Sequence, residues 1–315
     1  MASLATRAGV ARRQNRASRR QVTASTRTLI SPATLNRGRN RILYRIVLTL
    51  VVVIFTIVFI GPLYFLFTDA AKSTLEAIAD PPTYYPHHVE LNTFAKAWDT
   101  LSMGRLFFNT FYYAFGALFF QLIFDVAAAY GLSRLRPVLG NVIFIMMLVT
   151  LMIPSVVLIV PQYLTVASLP FIHVNIIGTP EVIWLPTVAN AFNIFLLKRF
   201  FDSIPRELMD AAAIDGASPM RILWRIVIPI SRPILSVVSI FAFVGVWKDF
   251  LWPLLVEYGY QPTRFTLNVG ISQSPQIAEN LILAASAMAA IPTIVFFLIF
   301  QRNIVAGLTA GGIRG

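Results

Sequence analysis

Residues 46–67 read IVLTLVVVIFTIVFIGPLYFLF, a run of 22 residues without one charged side chain. Coiled as a helix at 1.5 Å per residue, such a run is about 33 Å long. That matches the roughly 30 Å thickness of a hydrocarbon core. The apolar residues are continuous rather than alternating, so the stretch reads as a helix and not as a barrel strand; in lipid, only these two structures pair every backbone N–H and C=O.

On the N-terminal side of this run stand eleven arginines, from Arg7 to Arg45, and the first acidic residue of the chain is Asp69. Basic residues flanking a first span mark a cytoplasmic N-terminus. The segment is rich in Ser, Thr and Arg and poor in apolar residues, so residues 1–40 are expected to be a disordered basic tail, able to lie against anionic lipid. An Arg- and Ser-rich transit peptide is the rival reading, and the tail lacks the clear amphipathic repeat of such a peptide. The apolar run is too long for the core of a secretory signal. The net charge of +12 therefore points to a membrane and not to nucleic acid, because so much of it is gathered in this tail.

On the C-terminal side the same pattern recurs. Composition agrees: 57% of residues are hydrophobic and 13% charged, against about 25% charged in soluble domains. Six transmembrane helices are expected, near Ile42–Phe67, Leu106–Leu132, Val142–Tyr163, Glu181–Leu197, Pro233–Val256 and Leu281–Phe300. The expected fold class is thus an all-α membrane protein, with a transmembrane domain over 41–302 and a cytoplasmic C-terminal tail over 303–315. Charge supports the topology. Arg134 and Arg136 follow the second span, and Lys198, Arg199, Arg206, Arg221, Arg225 and Arg232 follow the fourth; Asp69, Glu76, Asp80, Glu90 and Asp99 crowd the opposite side. The outer segment 69–103 is polar and is expected to hold short helices. Pro62, Pro154, Pro161, Pro186, Pro253 and Pro292 each remove a donor and can kink a span.

The cytoplasmic loop near 200–232 reads as two short helices. Pro205 suits the first turn of one, Gly216 suits its left-handed end, and Ser218 with Pro219 suits the start of the next. Leu208, Ala211, Ala212 and Asp215 share a face of the first helix.

The spacing Asp210-Ala211-Ala212, three residues, Gly216, nine residues, Ile226, one residue, Ile228-Pro229 resembles the EAA loop of binding-protein-dependent ABC importer permeases. Asp210 stands where the family has Glu, and Ile228 where it has Leu. Further stretches are similar to the carbohydrate branch: Asn109-Thr110, Ala127–Arg134, Met152-Ile153-Pro154, Trp247–Pro253 and the ending Gly307–Gly315. That ending is similar to the tail of the maltose-type G subunit. The resemblance implies the type I ABC importer permease fold and a carbohydrate solute. The implied partners are a second, F-type permease subunit, two cytosolic ATPase subunits and an extracytoplasmic solute-binding protein, in a cell membrane. It also implies that Glu207, Asp210, Ala211, Ala212, Asp215 and Gly216 couple the chain to an ATPase, with Glu207 one turn away able to replace the shortened Asp210.

A charge inside a span costs about 2.5–3.5 kcal/mol on insertion scales. Lys248 and Asp249, beside Trp247, are therefore candidates for a translocation path. Lys248 lies about 22 Å along the fifth span from Pro233, and snorkelling to outer headgroups or an inter-subunit ion pair fit it as well. Asp125 is expected to reach the cytoplasmic interface, and Trp184 and Trp252 to anchor at membrane boundaries. His87, His88 and His173 show no metal-ligand spacing, and no cofactor or metal is expected. The chain has no cysteine, and it has no phosphate-binding G-x-x-x-x-G-K-[ST] loop. Transport of glycerol phosphate or another small polar solute is the alternative within the class. A gradient-driven carrier would need repeats and midplane acids, and a membrane enzyme would need a cluster of catalytic groups; neither is evident.

Overall fold

A computed structural model describes residues 38–79, 81–257 and 262–312, with side chains over 41–79, 81–257 and 263–301. Most of the basic tail, and residues 313–315 of the C-terminal one, lie outside the described residues. No strand occurs among the described residues. The chain divides into two units, Met1–Tyr64 and Phe65–Gly315. The first is represented by most of α1 (Gly38–Ala70), a helix apolar on all sides whose large hydrophobic side chains from Ile42 to Tyr64 are exposed. A helix that is hydrophobic all round needs an apolar surround to be stable.

The second unit begins with two short helices of the polar outer segment, α2 (Thr74–Ala77) and α3 (Asn92–Thr100). Its centre is α4 (Met103–Tyr130), which runs on through a π turn at Gly131–Leu135. Then come α5 (Gly140–Thr150), α6 (Ser155–Ala167), α7 (Glu181–Trp184) and α8 (Ala191–Ser203). The loop after α8 holds α9 (Glu207–Ile214) and α10 (Pro219–Ile222), the latter continued by a π turn and a last turn to Ile230. The chain closes with α11 (Arg232–Lys248), α12 (Leu251–Glu257), α13 (Leu267–Ser272) and α14 (Glu279–Gly312).

Helix α11 packs against both α4 and α14. Ala114, Ala117, Ala284, Ala285 and Ala287 are fully buried, and helices in lipid associate where small residues let their backbones approach. Gly116 is the extreme case: a Cβ there would collide with the Trp184 ring. The ring is fixed in turn, since its Nε1 donates to Tyr113 O at 3.1 Å. A second cluster, with Tyr130, Leu197, Phe201, Met209, Ile222 and Val238, ties α9 and α10 to α4, α8 and α11.

Several of the six expected spans are broken among the described residues. Among the described residues three helices, Arg41–Ala70, Met103–Leu135 and Glu279–Gln301, are long and apolar enough to cross a membrane, or up to five if each of two bent pairs is one span. The third expected span is such a pair, α5 and α6, bent by 108°. Pro154 stands directly before α6, where it cannot donate to the preceding turn. The fourth is divided among α7, a 3-10 turn at Leu185–Thr187 and α8. The fifth stops at Lys248 and restarts at Leu251. Hydropathy cannot register these interruptions, because the breaking residues are few.

Side chains from neighbouring helices serve the two last breaks. Asp125 is fully buried, correcting the expectation that it reaches the cytoplasmic interface. Its Oδ1 accepts from Asn190 N at 2.9 Å, and Asn190 Oδ1 in turn caps α8 by accepting from Asn193 N at 3.0 Å. At the other break Asn268 Nδ2 donates to Trp247 O at 3.1 Å and Asp249 O at 3.2 Å. Backbone groups freed inside a membrane protein are tolerated where the protein pairs them again.

Candidate functional site: the α9–α10 loop and a cavity at the end of α11

The loop geometry follows from its sequence. In α9, Ala217 N donates to Ala212 O at 2.9 Å and Gly216 N to Ala213 O at 3.0 Å, the paired closure of a Schellman end. Gly216 carries the left-handed backbone this closure requires, with φ +77°. Ser218 then caps α10 by accepting from Arg221 N, with Pro219 at the first turn. Met209 and Ile222 are buried and pin the two short helices to the core. The remaining surface of α9 faces outward: Glu207, Asp210, Ala211, Asp215 and Gly216 are exposed and Ala212 is half-buried. Beside them Ile214 is 87% exposed, and Met220 and Trp224 are 63% exposed. Acidic, small and large apolar groups thus share one surface.

The loop is also tied to α4. Tyr130 Oη donates to Pro219 O at 3.0 Å. The Arg134 guanidinium donates to Phe201 O and, at 2.8 Å, to Ile204 O. One hydrogen bond thus joins α10 to the last residue of α4, and two more join the turn after α4 to the end of α8.

The second candidate region lies at the end of α11. A cavity of about 710 Å³ is lined by Lys248, Asn268, Ser272, Ser286 and Thr293 among apolar residues, with Trp247 at its wall. A largely apolar cavity with a few placed polar groups is the usual form of a small-molecule site. The three sequence candidates here separate. Lys248 is exposed and makes no ion pair among the described residues. Trp247 is only 3% exposed, with its Nε1 donating to Ala289 O at 3.1 Å, which leaves little ring face for a solute. Asp249 is half-buried at the start of α12, its carboxyl against the N–H groups of Phe250, Leu251 and Trp252, a capping position. Trp252 is buried, with its Nε1 donating to Val182 O at 3.0 Å, and Trp184 is half-buried.

The family model for the binding-protein-dependent transport system inner membrane component matches residues 121–309. The chain belongs to that family. This permease is 30% identical over 262 residues to the sulfoquinovosyl glycerol transport system permease SmoH of Agrobacterium fabrum, covering 80% of this chain and 88% of the relative. It is 28% identical to the melibiose/raffinose/stachyose import permease MelC of Bacillus subtilis, covering 85% and 96%. To the sn-glycerol-3-phosphate transport system permease UgpE of Escherichia coli it is 31% identical, covering 80% and 91%. Its fold is that of a chain from a bacterial ABC transporter involved in the import of alginate, with a TM-score of 0.74 over 84% of this chain and 98% of the other, at 21% identity. The permease is thus an all-α membrane subunit of an ABC importer, as the resemblance implied.

Asn268, Ser272, Ser286 and Thr293 were not singled out by sequence. Each is a neutral polar residue on a helix, a type common in membrane interiors. Only the packing of α11, α13 and α14 brings them to one cavity with Lys248.

Proposed function

We propose that the permease carries a sugar or oligosaccharide into the cytoplasm as one of two membrane subunits. Its partners in this reading are an F-type permease, two cytosolic ATPases and an extracytoplasmic solute-binding protein. Both termini of the permease lie in the cytoplasm. The observation that carries the proposal is the α9–α10 loop, an exposed acidic and apolar surface held by buried anchors and hydrogen-bonded to α4. Closure of the ATPases pushes on Glu207–Gly216, and Tyr130 and Arg134 pass the displacement to α4 while the shared core passes it to α8 and α11. The broken helices at 188–190 and 249–250 provide places where segments can reorient. Hydrolysis belongs to the partner subunits, and the permease itself performs no covalent chemistry. The similarity to SmoH and MelC, whose names specify glycosides, supports the solute class.

A second reading has its own observation. Lys248 brings a cation without a paired carboxylate to the outer cavity, which suits an anionic solute such as glycerol phosphate, and UgpE is a relative of equal rank. Uptake by reconstituted transporter distinguishes the two. Lys248→Met is expected to leave ATPase assembly intact and to change uptake of neutral sugar modestly. A selective collapse of organic-phosphate uptake in the same variant would establish the second reading. Absence of solute-stimulated ATP hydrolysis with every cognate binding protein would sink the importer reading.

A further inference from the structure

On the cytoplasmic side of this fold, a cavity of about 460 Å³ opens between the end of α4 and the start of α5. Four cations line it: Arg134, Arg136, Lys198 and Arg206. The one lining carboxylate, Asp202, is already engaged by Lys198 Nζ at 2.8 Å and by Ser133 Oγ at 2.6 Å. Arg134, Arg136 and Arg206 make no ion pair among the described residues. The Arg134 guanidinium donates to the Phe201 and Ile204 carbonyls, and its Nε is buried without a hydrogen-bond partner. Such a cluster is stabilised by an anion placed among the three guanidinium groups, which match phosphate oxygens in geometry and charge.

The backbone reinforces this arrangement. Arg136 has a left-handed conformation, φ 49°, and its N–H closes the π turn on Gly131 O at 2.9 Å. That conformation costs a residue with a Cβ about 1–2 kcal/mol. Strain of this kind persists where the surrounding structure holds it, and it gathers at functional sites.

Val138 lines this cavity, and the apolar residues beside it in sequence are exposed. Val138 is 101% exposed, Leu139 63% and Leu135 59%. Immediately beyond, Val142, Ile145 and Met146 of α5 are exposed too. Cations around a cavity with an apolar surface rising from its edge reproduce the two halves of a phospholipid. We propose that this cavity seats the phosphate headgroup of an anionic phospholipid of the cytoplasmic leaflet, with an acyl chain lying along α5. Basic pockets between membrane helices on that side bind such headgroups. The site borders the docking loop, since Arg134 and Arg206 also line the space against Met209 and Asp210. An occupied site would thus steady the base of α9. The proposal rests on the orientation given under Proposed function.

The test is native mass spectrometry of the intact, delipidated transporter titrated with phosphatidylglycerol, phosphatidylcholine and inorganic phosphate. Wild type is expected to bind one phosphatidylglycerol in preference to phosphatidylcholine. Arg136→Gln is expected to weaken that binding about fivefold, the effect of one cation near the membrane surface, and Arg136→Lys to restore most of it. Val138→Glu, at a fully exposed position with no packing to lose, is expected to weaken it by charge repulsion. Equal binding of both lipids, or unchanged binding in Arg136→Gln and Val138→Glu, would overturn the proposal. Displacement of the lipid by equimolar inorganic phosphate would replace it with a soluble-phosphate site. Loss of the ATPase subunits from Arg136→Gln with lipid retained would overturn it in favour of a protein contact. Lipid counting needs neither ATP nor uptake, so failure of the importer reading is seen separately, and labelling at Ser218 checks the orientation by itself.

Discussion

Gly216 is the residue on which the docking loop turns. Its φ of +77° costs an L side chain about 1 kcal/mol or more. A Cβ there meets no atom within 4 Å. Gly216→Ala is therefore expected to lower loop stability by about 1 kcal/mol and to retain most uptake. Gly216→Leu adds a bulky group on the docking surface, and is expected to reach the membrane in normal amount while losing solute-stimulated hydrolysis and uptake together. Wild-type uptake by the leucine variant, with ATPase at wild-type stoichiometry, would remove the coupling role from this loop. Glu207 and Asp210 occupy the first turn of α9, where carboxylates are favoured by the helix dipole. Asp210→Ala is expected to impair hydrolysis mildly, and the double change with Glu207→Ala to impair it far more than either alone. The turn itself was legible in sequence, since glycine, serine and proline state local backbone geometry. Burial of Asp125 and Trp252 was not, because a side chain's environment is set by neighbours from distant helices.

At the scale of the element, the helix breaks are held by single side chains from elsewhere. Asp125→Asn keeps an oxygen for the Asn190 N–H, and is expected to leave thermal stability in detergent nearly unchanged. Asp125→Leu removes the acceptor from a buried donor, at a cost of about 1–3 kcal/mol, and is expected to lower the unfolding midpoint clearly. Equal midpoints for the two variants would mean that the hydrogen bond does not hold the break. The outer segment has a local clasp of its own. Glu76 Oε1 accepts from His87 N at 2.8 Å and from Thr83 Oγ1 at 3.2 Å, and lies 2.8 Å from His87 Nδ1. The His87 backbone N–H, above all, holds the Glu76 carboxyl below its ordinary range. A carboxyl depressed in the folded state contributes stability above its unfolded value near 4.3, and loses it as pH falls through the folded value. Limited proteolysis of 73–91 is accordingly expected to accelerate below about pH 4. Glu76→Gln should cleave faster at neutral pH; an identical rate would show that the clasp contributes nothing.

At the scale of the whole molecule, the proposed topology puts the α9–α10 loop in the cytoplasm and the segment 69–103 outside. Cysteines introduced into this cysteine-free chain test that placement. Ser218→Cys is expected to react with an impermeant maleimide only after the membrane is opened, and Thr83→Cys in intact cells. Labelling of position 218 from outside would invert the topology.

The sequence by itself determined that the chain is helical and membrane-embedded, and where its short loop helices start and stop. Those properties depend on composition, on periodicity and on residues within one turn of each other. It also carried the family, through spacing that can be matched position by position. Only the tertiary structure decided where the spans break, which polar groups serve the breaks, and that Arg134, Arg136, Lys198 and Arg206 converge on one cavity. Those facts depend on which helices pack together. Apolar helices of similar length are nearly interchangeable in lipid, so their pairing is selected by close-fitting positions such as Gly116 against Trp184, and a hydropathy pattern does not encode it.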